Sequence, residues 1–248
     1  MTFPVMIGPF PPHPVFEVLA YFVGFRLYLF ARRKAGDHLE DDRRWWVIAG
    51  AVCGAWLGSK VIYWLCDPAL TLAHLADVGY MLGGKTIVGG LAGGLAGVEL
   101  TKKALGVTRS TGDLFALPLC AGMAIGRIGC FLTGLTDRTC GVATAVPWGV
   151  DFGDGIPRHP AQLYEIAFLA VLAGWLTWRK RRPLPEGTLF REFLAGYMAF
   201  RLLAETIKPG VPIAGLTAIQ WTCVAVLIHY AVGLGYSRLT AGGRRRVS

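Results

Sequence analysis

Apolar residues in this chain fall into seven blocks separated by polar stretches. The blocks run about Pro14–Ala31, Trp45–Cys66, Ile87–Leu105, Leu114–Leu132, Leu163–Trp178, Leu189–Ile207 and Leu216–Tyr236. Each is near the ~17–25 residues that an α-helix needs to cross the hydrocarbon of a bilayer. The blocks beginning at Ile87 and Leu189 are interrupted by glycine or by charge, which makes them the least regular. The pattern predicts an all-α, polytopic membrane protein with seven transmembrane helices, organised as a single integral domain over residues 1–248. A long loop over about 134–161, rich in Gly, Pro, Asp and Thr, separates the fourth and fifth blocks. Loops of that length inside compact proteins are usually functional or disordered.

Composition agrees with the pattern. The chain has 248 residues, of which 54% are hydrophobic and only 17% charged, with a mean hydropathy of +0.47. A soluble domain of this length would carry nearer a quarter of its residues as charged ones. The net charge of +9 raises nucleic acid as a partner. The positions of the charges exclude it, because they cluster between apolar blocks instead of lining one face.

Those positions also predict an orientation. The loops Arg32–Arg44, Thr101–Gly112 and Arg179–Thr188, with the tail from Ser237, hold sixteen Lys and Arg; the opposite side holds four, Lys85, Arg138, Arg158 and Lys208. The positive-inside rule then places the N-terminus outside and the C-terminus in the cytoplasm. The first block follows no basic residue and precedes no small-residue cleavage site, so it reads as a retained helix and not as a signal peptide.

No two of the six cysteines have C-x-x-C spacing, so no metal site is expected. Cys130 and Cys140 flank the long loop, and two free thiols are favoured over a bridge. Asp151, Gly153, Asp154 and Gly155 imitate a calcium loop, but they lack its residue order and its distal Glu. Gly79 to Thr86 fits the phosphate-loop pattern G-x-x-x-x-G-K-T. That motif should follow a strand of a βαβ unit, and here an apolar helix follows, so an ATPase is rejected. From Gly89 onward, glycines at Gly89, Gly93 and Gly97 repeat every four residues and form a smooth face for close helix packing. The minority reading of Gly83–Thr86 is a lipid-phosphate site, with Lys85 nearby.

Charged residues inside apolar blocks are costly unless they face a partner or a cavity, so each is a functional-site hypothesis. Arg127 stands in G-R-I-G. Its guanidinium either grips a phosphate through a bidentate fork or pairs with a carboxylate. Arg158 to Glu165 reads R-H-P-A-Q-L-Y-E and opens a helix. His159 is a proton acceptor or an interfacial polar group, and Gln162 and Glu165 either cap the helix or bond to Arg127. Tyr197, Arg201 and Glu205 are spaced i, i+4, i+8 and share one helix face. Tyr21 and Glu17 lie one turn apart in the first block.

Taken together, G-R-I-G-C-F at Gly126–Phe131, Pro147-Trp148, the octapeptide from Arg158, Y-M-A-F-R-L-L-A-E at Tyr197–Glu205, Gly8-Pro9 and Tyr21–Phe25 resemble the prolipoprotein diacylglyceryl transferase family. The resemblance spans nearly the whole chain. It implies a seven-helix enzyme of the bacterial inner membrane, needing no cofactor. Such an enzyme moves the diacylglyceryl group of phosphatidylglycerol to the lipobox cysteine of a prolipoprotein and releases glycerol phosphate. By that resemblance Arg127 and Arg201 take the lipid phosphate, Tyr21 and Tyr197 donate hydrogen bonds, and Glu205 holds Arg201. Lys85, Arg158, Gln162, Tyr164 and Glu165 complete the substrate contacts. The chain departs from the family pattern at Val88, where a histidine is usual, at Cys130 in place of asparagine, and at Leu135 in place of an acidic residue. His159 or a carboxylate then becomes the base. The alternatives are a different acceptor on the same scaffold, or a non-catalytic lipid-binding or transport protein.

Overall fold

The computed structural model describes the backbone of residues 3–35 and 40–244 and the side chains of residues 3–34 and 40–232. Parts of the basic loop Arg32–Arg44 and of the basic tail therefore lie outside the described residues. The described chain is helical. Its helices are α1 (Pro12–Ala35), α2 (Asp41–Cys66), α3 (Pro68–Ala73), α4 (Val78–Leu82), α5 (Ile87–Ala104), α6 (Ala116–Thr133), α7 (Ala161–Arg179), α8 (Thr188–Ala204) and α9 (Ala218–Arg244). Each of the seven apolar blocks falls for the most part within one of the long helices. Four of these, α1, α2, α6 and α7, are long and apolar enough to cross a membrane; the apolar stretch of α9, Ala218–Val232, is shorter.

Two loops hold more structure than the hydropathy pattern suggests. The stretch between α2 and α5 folds into α3 and α4 because aspartates start both: Asp67 accepts from Leu70 N at 3.0 Å and Asp77 from Tyr80 N at 3.1 Å. Such caps stabilise by about 1 kcal/mol each. The stretch after α6 holds an antiparallel ladder of β1 (Val150–Asp151) and β2 (Pro157–Arg158). Three further bonds extend it: Gly141 N to His159 O at 2.9 Å, Thr144 N to Pro157 O at 2.9 Å and Val142 N to Ile207 O at 2.8 Å.

The chain divides into two compact units. The first comprises Met1–Glu40, Arg109–Leu194 and Leu203–Pro209. In it α6 packs against α1 and α7. Gly134 ends α6 at φ +72, a left-handed conformation that glycine adopts without strain. Val5 N bonds to Leu132 O at 2.9 Å, and Phe3 packs against Phe131 and Phe152, so the N-terminal tail covers the end of α6. Asp113 receives Gly187 N at 2.7 Å and Phe190 N at 2.9 Å, which caps α8 from a distant loop. Leu169, Leu172, Leu176 and Phe193 form the apolar interior.

The second unit comprises Asp41–Thr108, Ala195–Leu202 and Gly210–Ser248. Its centre is the pair α2 and α5, with α9 against both. The glycine face read at Gly89, Gly93 and Gly97 meets a second one, Gly50, Gly54 and Gly58, on α2. A Cβ on Gly93 would collide with the carbonyl oxygen of Gly54, one on Gly97 with that of Gly50, and one on Gly89 with that of Gly58. Backbone meets backbone along this seam, the close approach that small residues permit in membranes. At the head of α9, Thr217 Oγ1 accepts from Gln220 N at 3.2 Å while Gln220 Oε1 accepts from Thr217 N at 3.0 Å, a reciprocal cap.

Candidate functional site: buried charges at the ends of the helices

In the first unit, Arg127 on α6 and Glu165 on α7 form a buried ion pair. Arg127 Nε lies 2.9 Å from Glu165 Oε2, and the residues are 6% and 1% exposed. Of the two readings open for Glu165, bonding to Arg127 is the one realised. Gln162, one turn before Glu165, donates instead to Thr139 Oγ1 at 3.0 Å. Thr139 in turn donates to Asp137 Oδ2 at 2.7 Å.

A second cluster adjoins Arg127. Its Nη1 lies 3.8 Å from Cys130 Sγ, and that sulfur lies 3.9 Å from His13 Nδ1. His13 Nδ1 is 2.7 Å from Asp137 Oδ1, and its Nε2 is 3.6 Å from Glu17 Oε2. Tyr21 donates to Glu17 Oε1 at 2.9 Å. The ring of Tyr21 is 68% exposed on α1, among Val18, Phe22 and Phe25, which are also exposed. His13 escaped the sequence reading. It sits beside prolines at a helix start, and 117 residues separate it from Cys130, so no spacing could tie the two together.

The loop elements of the candidate set are also fixed. Trp148 Nε1 donates to Tyr164 Oη at 2.7 Å, and the same hydroxyl shares a hydrogen bond with His159 Nδ1, 3.1 Å away. Arg158 Nη1 donates to Asp154 Oδ1 at 2.7 Å; this bond holds the Asp154 carboxyl below the usual carboxylate range and raises the guanidinium. Asp151 Oδ1 is occupied by the backbone N–H groups of Gly153, Asp154 and Gly155 at 2.8–3.1 Å. Its role is therefore to shape the turn. Cys140 is buried, which pushes its thiol up, and both it and Cys130 are free thiols.

Tyr197, Arg201, Val88 and Lys85 belong to the second unit. Tyr197 is fully buried and Arg201 is 4% exposed, one turn apart on α8; Glu205, a turn further on in the first unit, is likewise buried. Val88 is 1% exposed in the first turn of α5 and has no titratable atom. Lys85 is exposed just before that helix. A buried lysine lies nearby, Lys60 of α2, whose ammonium donates to the carbonyl oxygens of Leu82, Gly83 and Gly84 at the end of α4. That ammonium holds the glycine loop by its carbonyls. Thr86 caps α5 by accepting from Gly89 N at 3.3 Å.

Several long apolar helices, with arginine and glutamate buried inside the protein, mark a multi-pass membrane protein. The comparison with known proteins makes the class specific: residues 12–236 match the model of the prolipoprotein diacylglyceryl transferase family, and the chain belongs to that family. It is 35% identical to the phosphatidylglycerol–prolipoprotein diacylglyceryl transferase of Bordetella parapertussis over 95% of this chain and 93% of that one. It is 33% identical to the protein of the same name from Cupriavidus necator, over 85% and 83% of the two chains. The one from Nitrosomonas europaea is 29% identical over 84% and 80%.

Proposed function

We propose that this protein transfers the diacylglyceryl group of phosphatidylglycerol to the thiol of a prolipoprotein's lipobox cysteine, in the bacterial inner membrane. In this reading all seven long helices cross the bilayer, with the N-terminus outside and the C-terminus in the cytoplasm. The observation that carries it is the buried Arg127 of α6 in a chain of this family, a cation kept at depth by Glu165.

The chemistry has two demands. The acceptor must react as thiolate, the nucleophilic form of cysteine. Its sulfur attacks the glyceryl carbon that bears the phosphate ester. The C–O bond breaks, its electron pair stays on the phosphate oxygen, and glycerol phosphate departs. Guanidinium groups stabilise the charge that grows on that oxygen without a metal. Arg127 and Arg201 take this role, Tyr197 donates a hydrogen bond to the lipid head, Tyr21 does so when the lipid replaces Glu17 as its acceptor, and Glu205 steadies Arg201. Lys85, Arg158 and Gln162 lie among the polar groups available to the substrates. The proton of the acceptor thiol goes to the imidazole of His159, which Tyr164 holds in place through Nδ1.

A second reading keeps the scaffold and changes the acceptor. Val88 favours it, because a buried valine stands where the family resemblance leads one to expect a histidine. One experiment separates the two: purified protein is incubated with labelled phosphatidylglycerol and a lipobox peptide. Label on the peptide, abolished by Arg201→Ala and by Arg127→Lys, which keeps the charge and loses the fork, supports the first reading. Consumption of the lipid with no label on the peptide supports the second. Full transfer by both arginine variants would overturn the mechanism.

A further inference from the structure

We infer that His13, Cys130 and Asp137 form a site for one transition-metal ion of zinc-like preference. Their donor atoms, His13 Nδ1, Cys130 Sγ and one Asp137 oxygen, all lie within 4.8 Å of one another. They come from three places: the first turn of α1, the last turn of α6, and the turn that follows it. Imidazole, thiolate and carboxylate are the donors that zinc accepts, and three protein ligands leave a fourth position for water or a substrate atom. Tetrahedral zinc, with Zn–N of ~2.0 Å and Zn–S of ~2.3 Å, sets N···S near about 3.5 Å and N···O near about 3.3 Å. The observed separations are 3.9 Å and 2.7 Å. Side-chain movements well under a residue's reach close the difference.

The surroundings of the three ligands carry the argument further. A ligating histidine gives its other ring N–H to a carboxylate, and ligating carboxylates are themselves hydrogen-bonded. Glu17 stands at His13 Nε2, 3.6 Å away, and is itself held by Tyr21. Thr139 donates to the second oxygen of Asp137, and Gln162 donates to Thr139. Arg127 Nη1 points at the sulfur of Cys130. Each ligand therefore has its own outer partner.

Histidine chemistry supplies the second argument. His13 Nδ1 faces both the Asp137 carboxylate, at 2.7 Å, and the Cys130 sulfur, at 3.9 Å, yet one ring nitrogen serves only one partner at a time. A metal ion among the three donors uses the Nδ1 lone pair and both anionic ligands together, and leaves Nε2–H on the side of Glu17. Charge closes as well: thiolate and carboxylate offset a divalent ion, and Arg127 is already offset by Glu165.

The full chain, purified in detergent and washed with a weak chelator, should retain about one zinc per protein by elemental mass spectrometry. Replacing that ion by cobalt(II) should produce a thiolate-to-metal charge-transfer band in the near ultraviolet. Cys130→Ser should lose the band, Asp137→Asn should lose the metal, and Glu17→Gln should weaken zinc by about 10–100-fold while keeping the band. Absence of the cobalt band in the unmutated protein overturns the proposal whatever the variants do. Stoichiometric zinc that Cys130→Ser retains overturns it too. Metal content and spectrum are read without any transfer assay, so this site and the proposed transferase activity stand or fall separately.

Discussion

The α2–α5 seam of the second unit and the polar end of α6 in the first unit hold their helices by opposite means. Along the seam the closest approaches are of backbone: glycines of one helix lie on the carbonyls of the other. At the end of α6 charged side chains carry the contact, with Arg127 against Glu165 and His13 against Asp137. In hydrocarbon no hydrophobic force separates helix from helix, and close packing or polar contact must do the work instead. The seam uses the first and tolerates no added atom. The polar end uses the second and tolerates no missing partner.

That difference predicts how each breaks. The largest effect is expected at the polar end. Glu165→Ala leaves a buried guanidinium without its carboxylate, a change that costs about 3–5 kcal/mol. Thermal or denaturant unfolding in detergent should show that loss, and Glu165→Ala with Arg127→Leu should recover part of it. If the single and double variants unfold alike, the pair does not hold the unit.

The seam is expected to give a smaller effect of sharper position dependence. Gly93→Ala forces a Cβ onto the Gly54 carbonyl and should cost about 1–3 kcal/mol through overpacking. Gly90→Ala, whose Cβ would have its nearest neighbour 3.7 Å away, should be neutral or stabilising by up to about 1 kcal/mol. Equal unfolding midpoints for the two variants would show that the glycine face is not the contact.

The smallest effect lies outside both regions, in the β1–β2 loop. Arg158 depresses the Asp154 carboxyl, so its contribution to loop stability is present in full above the ordinary carboxylate pKa, ~3.9. It is lost as pH falls through the depressed value. Amide exchange of residues 150–158, corrected for intrinsic rates, should accelerate below about pH 4 in the unmutated protein. Asp154→Asn should exchange fast across the whole range. Identical acid profiles would remove this pair from the account of the loop.

Much of the seam was legible beforehand, and little of the polar end was. Gly89, Gly93 and Gly97 announce a packing face because a four-residue repeat is a local property of one helix. Its partner, Gly50, Gly54 and Gly58, carries the same repeat inside an apolar block and went unremarked. Arg127, Arg201 and Glu205 stood out because charge inside apolar sequence is rare. Glu165 was legible as a polar group, with its choice between helix cap and Arg127 left open. His13 and Asp137 carried no such mark, since each lies at a block edge where polar residues are ordinary. Asp113 and Lys60 were missed for a related reason: one caps a helix through bonds spanning 74 and 77 residues, the other reaches carbonyls 22–24 residues away.

What the sequence determined by itself was the helical, membrane-embedded character of the chain, the placement of its long helices, the glycine repeat and the family. These follow from hydropathy, periodicity and short motifs, which depend on neighbours along the chain. Only the tertiary structure decided that Glu165 answers Arg127 and that His13 meets Cys130 and Asp137. Side chains so far apart in sequence come together through helix packing and loop closure, and no local signal records which ends will meet.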